Sequence, residues 1–271
     1  MSTPIEKTEA IALNIAPYSQ SSHIVTWITP GFGRLATLVK GASRPRSWFL
    51  GQYDLFYSCE LLFYHRDQGG LHPAKECSPL KRRDQLRRDW RACIMASCVS
   101  GLVRQTSSEG SRQTSLFNLL DITLDILANK GACAQCMTWF ELNLLNVLGL
   151  APRTNSCAQC GRRIVPVKNR PIHFSHTKGG SICANCVPKN KDTDTLAPPV
   201  FAMMRSWQKA SSPASAYNTT SPPASLEELS NLVGRFEEYH LGFKPRGRTA
   251  ALEAAGILKA QWQSLIDPAK K

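Results

Sequence analysis

The chain has 271 residues, 42% of them hydrophobic, enough for two or three small domains with cores of their own. Lys and Arg number 33 against 20 Asp and Glu, a net charge of +13 that points to a polyanionic partner: nucleic acid, an anionic membrane surface or an acidic protein tail. No run of about eighteen apolar residues occurs and residues 1–10 lack a secretory pattern, so a membrane-spanning class is set aside and the ten cysteines are expected to be thiols of a cytoplasmic protein.

From Thr8 to about Leu80 the pattern is one of strands and turns. Thr8–Ile15 runs up to Pro17, and His23–Thr29 stops at Pro30-Gly31. In Arg34–Lys40 the residues Leu35, Thr37 and Val39 fall on one side; Leu55, Tyr57, Cys59, Leu61 and Phe63 share a face of a longer strand ending at Asp67-Gln-Gly-Gly70. About five short strands in this length suggest a small closed barrel, and an OB-fold is the common barrel of that size with a nucleic-acid role. Charge agrees. No Asp or Glu lies between Glu9 and Asp54, whereas Arg34, Lys40, Arg44 and Arg46 do, and the loop Lys40–Phe49 sets its cations beside Trp48 and Phe49. Cations that displace counterions and rings that stack on unpaired bases suit single-stranded nucleic acid. A solvated basic loop with both rings tucked into the barrel is the plainer alternative.

The run Lys81–Arg91 follows, with Lys81, Arg82, Arg83, Arg87, Arg88 and Arg91 against two acids. Read as helix, it puts Arg83, Arg87 and Arg91 on one face, extending a phosphate track or forming a solvated surface. The period then turns helical over Asp89–Gln105, Ser115–Asn129 and Ala134–Leu148, whose apolar stripes read as the core of a bundle. Cys133-Ala-Gln-Cys136 opens the third of these with no strand before it, so buried packing is favoured over redox chemistry.

Cys157-Ala-Gln-Cys160 and Cys183-Ala-Asn-Cys186 are two Cys-x-x-Cys knuckles whose separation can bring four thiolates around one ion. With Cys157, Cys160, Cys183 and Cys186 as ligands no position is left for water, so one structural Zn2+ is expected, framed by a ribbon of Arg163–Val167 and Ile172–Ser175. No acid falls between Leu142 and Lys191, and Arg162, Arg163, Lys168 and Arg170 make a secondary basic surface, joined further on by Lys244, Arg246 and Arg248. Val200–Lys209 reads as a helix, Ser211–Ala224 as a mobile Ser/Pro-rich loop, and Ser225-Leu-Glu-Glu228 as a capping box opening a last long helix. Gly256–Lys271 forms one more short helix or frays.

Phe140-Glu-Leu running to Leu148-Gly-Leu-Ala-Pro152 just before the first knuckle resembles the RecO family of bacterial recombination mediators. So do Glu9–Leu13 with Tyr18, Trp27–Arg34, Val39–Arg44, and Tyr239-His-Leu-Gly242 with Lys244 and Arg246, in the right order along the chain. The chain departs from the family pattern at Ser19–Ser22, where acids are usual, at Thr138-Trp139, where a basic residue is common, and at Lys244–Arg248. The resemblance implies an α+β multidomain protein: an OB-fold barrel (1–80), a helical domain (81–151 and 192–271) and an inserted four-cysteine zinc module (152–191). It also implies a non-enzymatic DNA repair and recombination mediator, cytoplasmic and nucleoid-associated. Such a protein anneals single-stranded DNA and works with RecR, the tail of single-stranded DNA-binding protein and, indirectly, the recombinase; duplex DNA is a further candidate ligand. The competing expectation is a basic zinc-containing adaptor that docks acidic tails and touches DNA incidentally.

Overall fold

The computed structural model describes residues 4–67, 69–167, 170–189 and 193–257. Lys168 of the expected basic surface, and the expected terminal helix from residue 258 on, lie outside them. The chain divides into two compact units, Met1–Gly131 and Ala132–Lys271. The helical segment expected at 81–151 is therefore shared between them.

The first unit holds five strands: β1 (Ile5–Pro17), β2 (His23–Thr29), β3 (Gly33–Val39), β4 (Ser58–Tyr64) and β5 (Leu71–Lys81). They close in the order β1-β2-β3-β5-β4, with β3 and β5 parallel and the other pairs antiparallel. This is the OB-type barrel. Closure depends on β1, whose first half pairs with β4 and whose second half pairs with β2. A register shift between Ala12 and Asn14 bends the strand where it passes from one partner to the other. Alternation then fills the interior: Leu35, Thr37 and Val39 point inward from β3, against Val25, Trp27, Leu61 and Phe63. Thr37 is tolerated there because its Oγ1 accepts the Trp27 indole N–H at 2.9 Å. The fifth strand carries Pro73 and Pro79 and few inward apolar residues, which hid its alternation in the sequence.

After the barrel come α1 (Gln85–Arg88), α2 (Trp90–Thr106) and α3 (Thr114–Lys130), with α2 and α3 packed together and touching β1 and β2. Arg83, Arg87 and Arg91 do not share a helix face. Arg83 has a positive φ of 51° before α1, and Asp89 turns extended to cap α2 through the N–H groups of Arg91 and Ala92.

In the second unit α4 (Ala134–Val147) is the buried axis, packed by α5 (Pro198–Lys209), α6 (Pro213–Tyr217), α7 (Pro223–Leu241) and α8 (Arg248–Ala254). Met137, Trp139, Phe140, Leu142, Leu144 and Leu145 supply its core. Two expectations are corrected here. The Ser/Pro-rich stretch contains α6, because Ser212 caps Ala214, Pro213 starts the turn and Ala216 is buried. The capping box does not form: Pro223 starts α7 before Ser225, and Glu228 accepts the Ala197 N–H instead.

Between α4 and α5 lies a small sheet of β6 (Ile172–Ser175), β7 (Gly180–Ile182) and β8 (Asp194–Leu196), ordered β7-β6-β8. The expected strand Arg163–Val167 is not one; it makes a single bridge, Ser156 to Arg163, and Pro166 cannot donate to a ladder. β8 takes the place beside β6.

Candidate metal centre and nucleic-acid interface

The two knuckles meet because the chain leaves α4, turns at residues 157–160, crosses β6 and β7, and returns at residues 183–186. The Sγ atoms of Cys157, Cys160, Cys183 and Cys186 all lie within 4.8 Å of one another, and Cys160 and Cys183 are 3.6 Å apart. A tetrahedral ion with metal–sulfur bonds of about 2.3 Å needs sulfur–sulfur edges of about 3.8 Å, so the spacing fits. The donors suit thiolates as well. Burial works against charge on Cys157, but N–H groups of Cys183, Cys160 and Gln159 aimed at its sulfur bring it down to about 6. Burial and the crowded neighbouring sulfurs push Cys186 up to about 12, a repulsion that a divalent cation would relieve. Ile182, with Ile164 and Val187 beside it, packs an apolar wall behind the sulfurs.

In the first unit the predicted DNA-binding residues fall into two groups. Those near β5 are engaged by acids. The Arg83 guanidinium is buried, donating from Nε to Asp125 at 2.7 Å and from Nη1 to the Phe56 carbonyl and the Ser58 hydroxyl, with Asp121 on its other edge. Lys81 spans Asp121 and Asp125 at 2.6 and 2.8 Å. Arg87 pairs with Asp54, Arg82 bonds the Tyr57 hydroxyl and approaches Asp84, and Arg34 grips Glu109 and the Arg104 carbonyl. Arg83 is thus removed from the surface set. Its network also holds two non-glycine residues, Phe56 and Arg83, at positive φ. The sequence carried the signal in Asp121 and Asp125, one helical turn apart on α3 and facing the run.

The second group is free. Lys40, Arg44 and Arg46 are exposed and form no ion pair among the described residues; Arg88 and Arg91 are likewise exposed, with Arg91 over the Trp90 ring at 5.4 Å. Trp48 projects with 94% of its surface accessible, whereas Phe49 packs on the barrel core, so the two rings part company. The loop is anchored. Ser43 N–H donates to the Ser21 carbonyl at 3.1 Å, the Gly41 N–H to Ser22 Oγ at 3.2 Å, and Ser43 Oγ meets His23 Nε2 at 3.1 Å. These bonds tie the cationic loop to the β1–β2 turn, which presents an exposed Tyr18 that charge and spacing did not single out.

In the second unit Arg162, Arg163, Arg170, Lys244 and Arg246 are exposed. Arg248 is not a surface cation. It lies in a buried fork with Glu141, Nε to Oε1 at 2.6 Å and Nη2 to Oε2 at 2.9 Å, which corrects its place in the basic tail.

The fold and these sites define a class: a closed OB-type barrel followed by a helical unit that carries a four-cysteine ribbon able to hold a metal ion. Family models for the Recombination protein O N terminal and C terminal match residues 1–83 and 87–249. The chain therefore belongs to the RecO family. It is similar to the DNA repair protein RecO of Anaeromyxobacter sp. (strain K), 29% identical over 254 residues that cover 94% of this chain and 98% of that one. The DNA repair protein RecO of Roseiflexus sp. (strain RS-1) is 28% identical over 243 residues, 89% of this chain and 83% of that one. That of Halalkalibacterium halodurans is 26% identical over 200 residues, 73% and 76% of the two chains.

Proposed function

We infer that this chain acts in DNA repair and homologous recombination by binding and annealing single-stranded DNA. In this reading it also helps RecR load the recombinase onto DNA coated by single-stranded DNA-binding protein, in the cytoplasm, without breaking a bond of its own. The observation that carries it is the anchored loop: three cations with no carboxylate partner among the described residues, beside an aromatic ring left in solvent. A backbone passing there would exchange condensed counterions for Lys40, Arg44 and Arg46, releasing them to solvent, while a base stacks on Trp48. Four sulfurs as the whole ligand set favour Zn2+ in a structural role, fastening the ribbon from which Arg162, Arg163 and Arg170 project. The family name of the relatives supports the repair context.

Fluorescence anisotropy of a labelled oligothymidylate at rising salt tests this. Binding that weakens with salt is expected, and Lys40→Glu/Arg44→Glu/Arg46→Glu should lower the log–log slope by about 2 units. No binding in dilute buffer would end the proposal.

The adaptor reading has one observation in its favour. A groove of about 340 Å³ on the ribbon is lined by Ile164, Val165, Val167 and Ile172, with Arg163 and Arg170 among its walls. An acidic peptide with an apolar side chain suits it. Retention of such a peptide, undisturbed by excess oligonucleotide, would move the conclusion to this second reading.

A further inference from the structure

The second unit contains a cationic pocket that neither the charge runs nor the spacing of the sequence brought out. It has a volume of about 350 Å³, and Arg153, Arg205 and Lys209 line it together with Asn146, Asn155 and Gln208; no carboxylate among the described residues does. Three positive charges in one small concavity repel each other unless something anionic sits among them.

The pocket is built, and each wall has a reason. Arg205 and Lys209 are one turn apart near the C-terminal end of α5, so their side chains leave the same helix face. Arg153 comes from a different part of the chain and is clamped by its backbone: its N–H donates to the Gly179 carbonyl at 2.9 Å, and its carbonyl accepts the Ser181 N–H at 2.8 Å. The approach is so close that a Cβ on Gly180 would lie 2.4 Å from the Arg153 oxygen, so only glycine permits it. The Gln208 amide locks α5 to this segment, donating to the Pro152 carbonyl at 3.0 Å and accepting the Thr154 hydroxyl at 3.1 Å. Arg205 spends one N–H on the side-chain Oδ1 of Asn155 at 2.8 Å and lies over the Phe201 ring. The side chains of Arg153 and Lys209 make no ion pair among the described residues.

We propose that this pocket binds a phosphodiester backbone and is a second nucleic-acid site, separate from the barrel loop. The inference rests on the reading of the chain as a strand-annealing protein and deepens it. Two complementary strands repel through their phosphates, so a protein that brings them together must neutralise both backbones, and one cationic loop serves one strand. The chemistry of the walls selects the ligand. Amides, a hydroxyl and guanidinium and ammonium groups match phosphate oxygens. The apolar lining is confined to Ala151 and Pro152, which leaves no slot for the large side chain that anchors an acidic peptide.

The test uses the full chain and three variants: Arg153→Glu/Lys209→Glu, the loop variant Lys40→Glu/Arg44→Glu/Arg46→Glu, and their combination. Arg153→Gln/Lys209→Gln stands in if the charge reversal misfolds. The probes are an oligothymidylate for binding and two complementary labelled strands for annealing. The pocket variant should keep first-strand binding within about threefold. It should anneal about tenfold more slowly, with the salt slope lowered by about 1.4. The loop variant should keep weak residual binding that the combination abolishes. Unchanged annealing and salt slope in the pocket variant overturn the proposal while leaving strand binding by the barrel intact, as does a loop variant with no residual binding. An acidic peptide or a mononucleotide bound through Arg153 and Lys209 as tightly as the strand would also overturn it, by assigning the pocket to a different ligand. A wild-type protein that binds no strand takes down both this site and the DNA reading.

Discussion

Replacing Arg248 by alanine should destabilise the helical unit by about 3–5 kcal/mol at neutral pH, because it leaves a buried carboxylate without a counter-charge. Glu141 is wholly inaccessible in the middle of α4, and both of its oxygens are held by the Arg248 fork; the same guanidinium also donates to the Ser230 carbonyl at 2.7 Å. A second carboxyl, Glu237 on α7, is equally buried, and neither of its oxygens has a hydrogen-bond partner among the described residues. Burial, and then the Glu141 charge, push Glu237 well above the usual carboxylate range, with Arg248 opposing. Among the described residues Arg248 is thus the cation that pairs with Glu141 and opposes the rise of Glu237. Without it nothing opposes the push of burial and the Glu141 charge on Glu237, which rises further. A group whose folded pKa is raised stabilises below its unfolded value and loses that stabilisation as pH rises through the folded value. The deficit of the alanine variant should thus be smaller near pH 4.5 than at pH 7.5. Urea unfolding followed by tryptophan fluorescence reads both, since Trp139 and Trp207 are buried in this unit. Glu141→Leu/Arg248→Met should recover most of the loss, because replacing both members of a buried pair is often neutral. A loss under about 1 kcal/mol, or a double variant as unstable as the single one, would refute the account.

Gly234→Ala should act through the same pair: its Cβ would lie 2.6 Å from the Arg248 guanidinium, so a cost of about 1–3 kcal/mol is expected, and it should be strongly non-additive with Arg248→Ala in a double-mutant cycle. Arg83→Ala and Trp48→Ala should separate stability from binding. The first leaves Asp121 and Asp125 with Lys81 alone, without the buried guanidinium between them, and lowers the thermal midpoint of the barrel unit. The second leaves that midpoint unchanged and weakens oligonucleotide binding by about 1–3 kcal/mol. Acid should unfold the barrel unit partly through Asp121. Burial raises its pKa but is outweighed by Lys81, Arg83 and Ser58, so its folded pKa is depressed; its stabilisation is present above the unfolded value and lost as pH falls through the folded one. Asp121→Asn should flatten the stability curve at low pH, and an unchanged acid limb would count against it. Titration with a thiol reagent should release one metal ion per chain, and chelation should lower the melting temperature of the helical unit while the barrel signal persists; release of no metal removes the structural-ion proposal.

The barrel and the ribbon were legible in the sequence for different reasons. Strand β3 alternates cleanly because one face is buried and the other is not, β2 alternates only as far as Trp27 before Ile28 and Thr29 are buried too, and Pro30-Gly31 marks the turn between them. The knuckles are legible because two short spacings constrain a tetrahedron whatever the chain does between them. What lay between was less legible. Arg163–Val167 has strand-like residues, yet strand formation is decided by the available partner, and β6 took Asp194–Leu196, a short segment with little strand character. Helix α7 shows the same kind of competition, with Pro223 setting the start before Ser225 could cap it.

Charge was the least transferable signal, and the reason is structural. Counting Lys and Arg against local acids makes Lys81–Arg91 the most basic stretch of the chain, but local counting cannot see Asp121 and Asp125, which arrive from α3 and engage Lys81 and Arg83. In the same way Glu141 reaches Arg248 from far along the chain. Conversely, Arg205 and Lys209 look ordinary in sequence and Arg153 is one of many cations in the acid-free stretch Leu142–Lys191; they become a site only when α5 is laid against residues 151–156. A cation is available to phosphate when the fold brings it no acid, so the loop Lys40–Trp48, which lies in the long acid-free interval and meets no carboxylate among the described residues, is the better predictor of a contact than the densest basic run. Charge reversal at Arg87, already paired with Asp54, should therefore perturb strand binding less than reversal at Arg44, and equal losses at the two positions would undo that distinction.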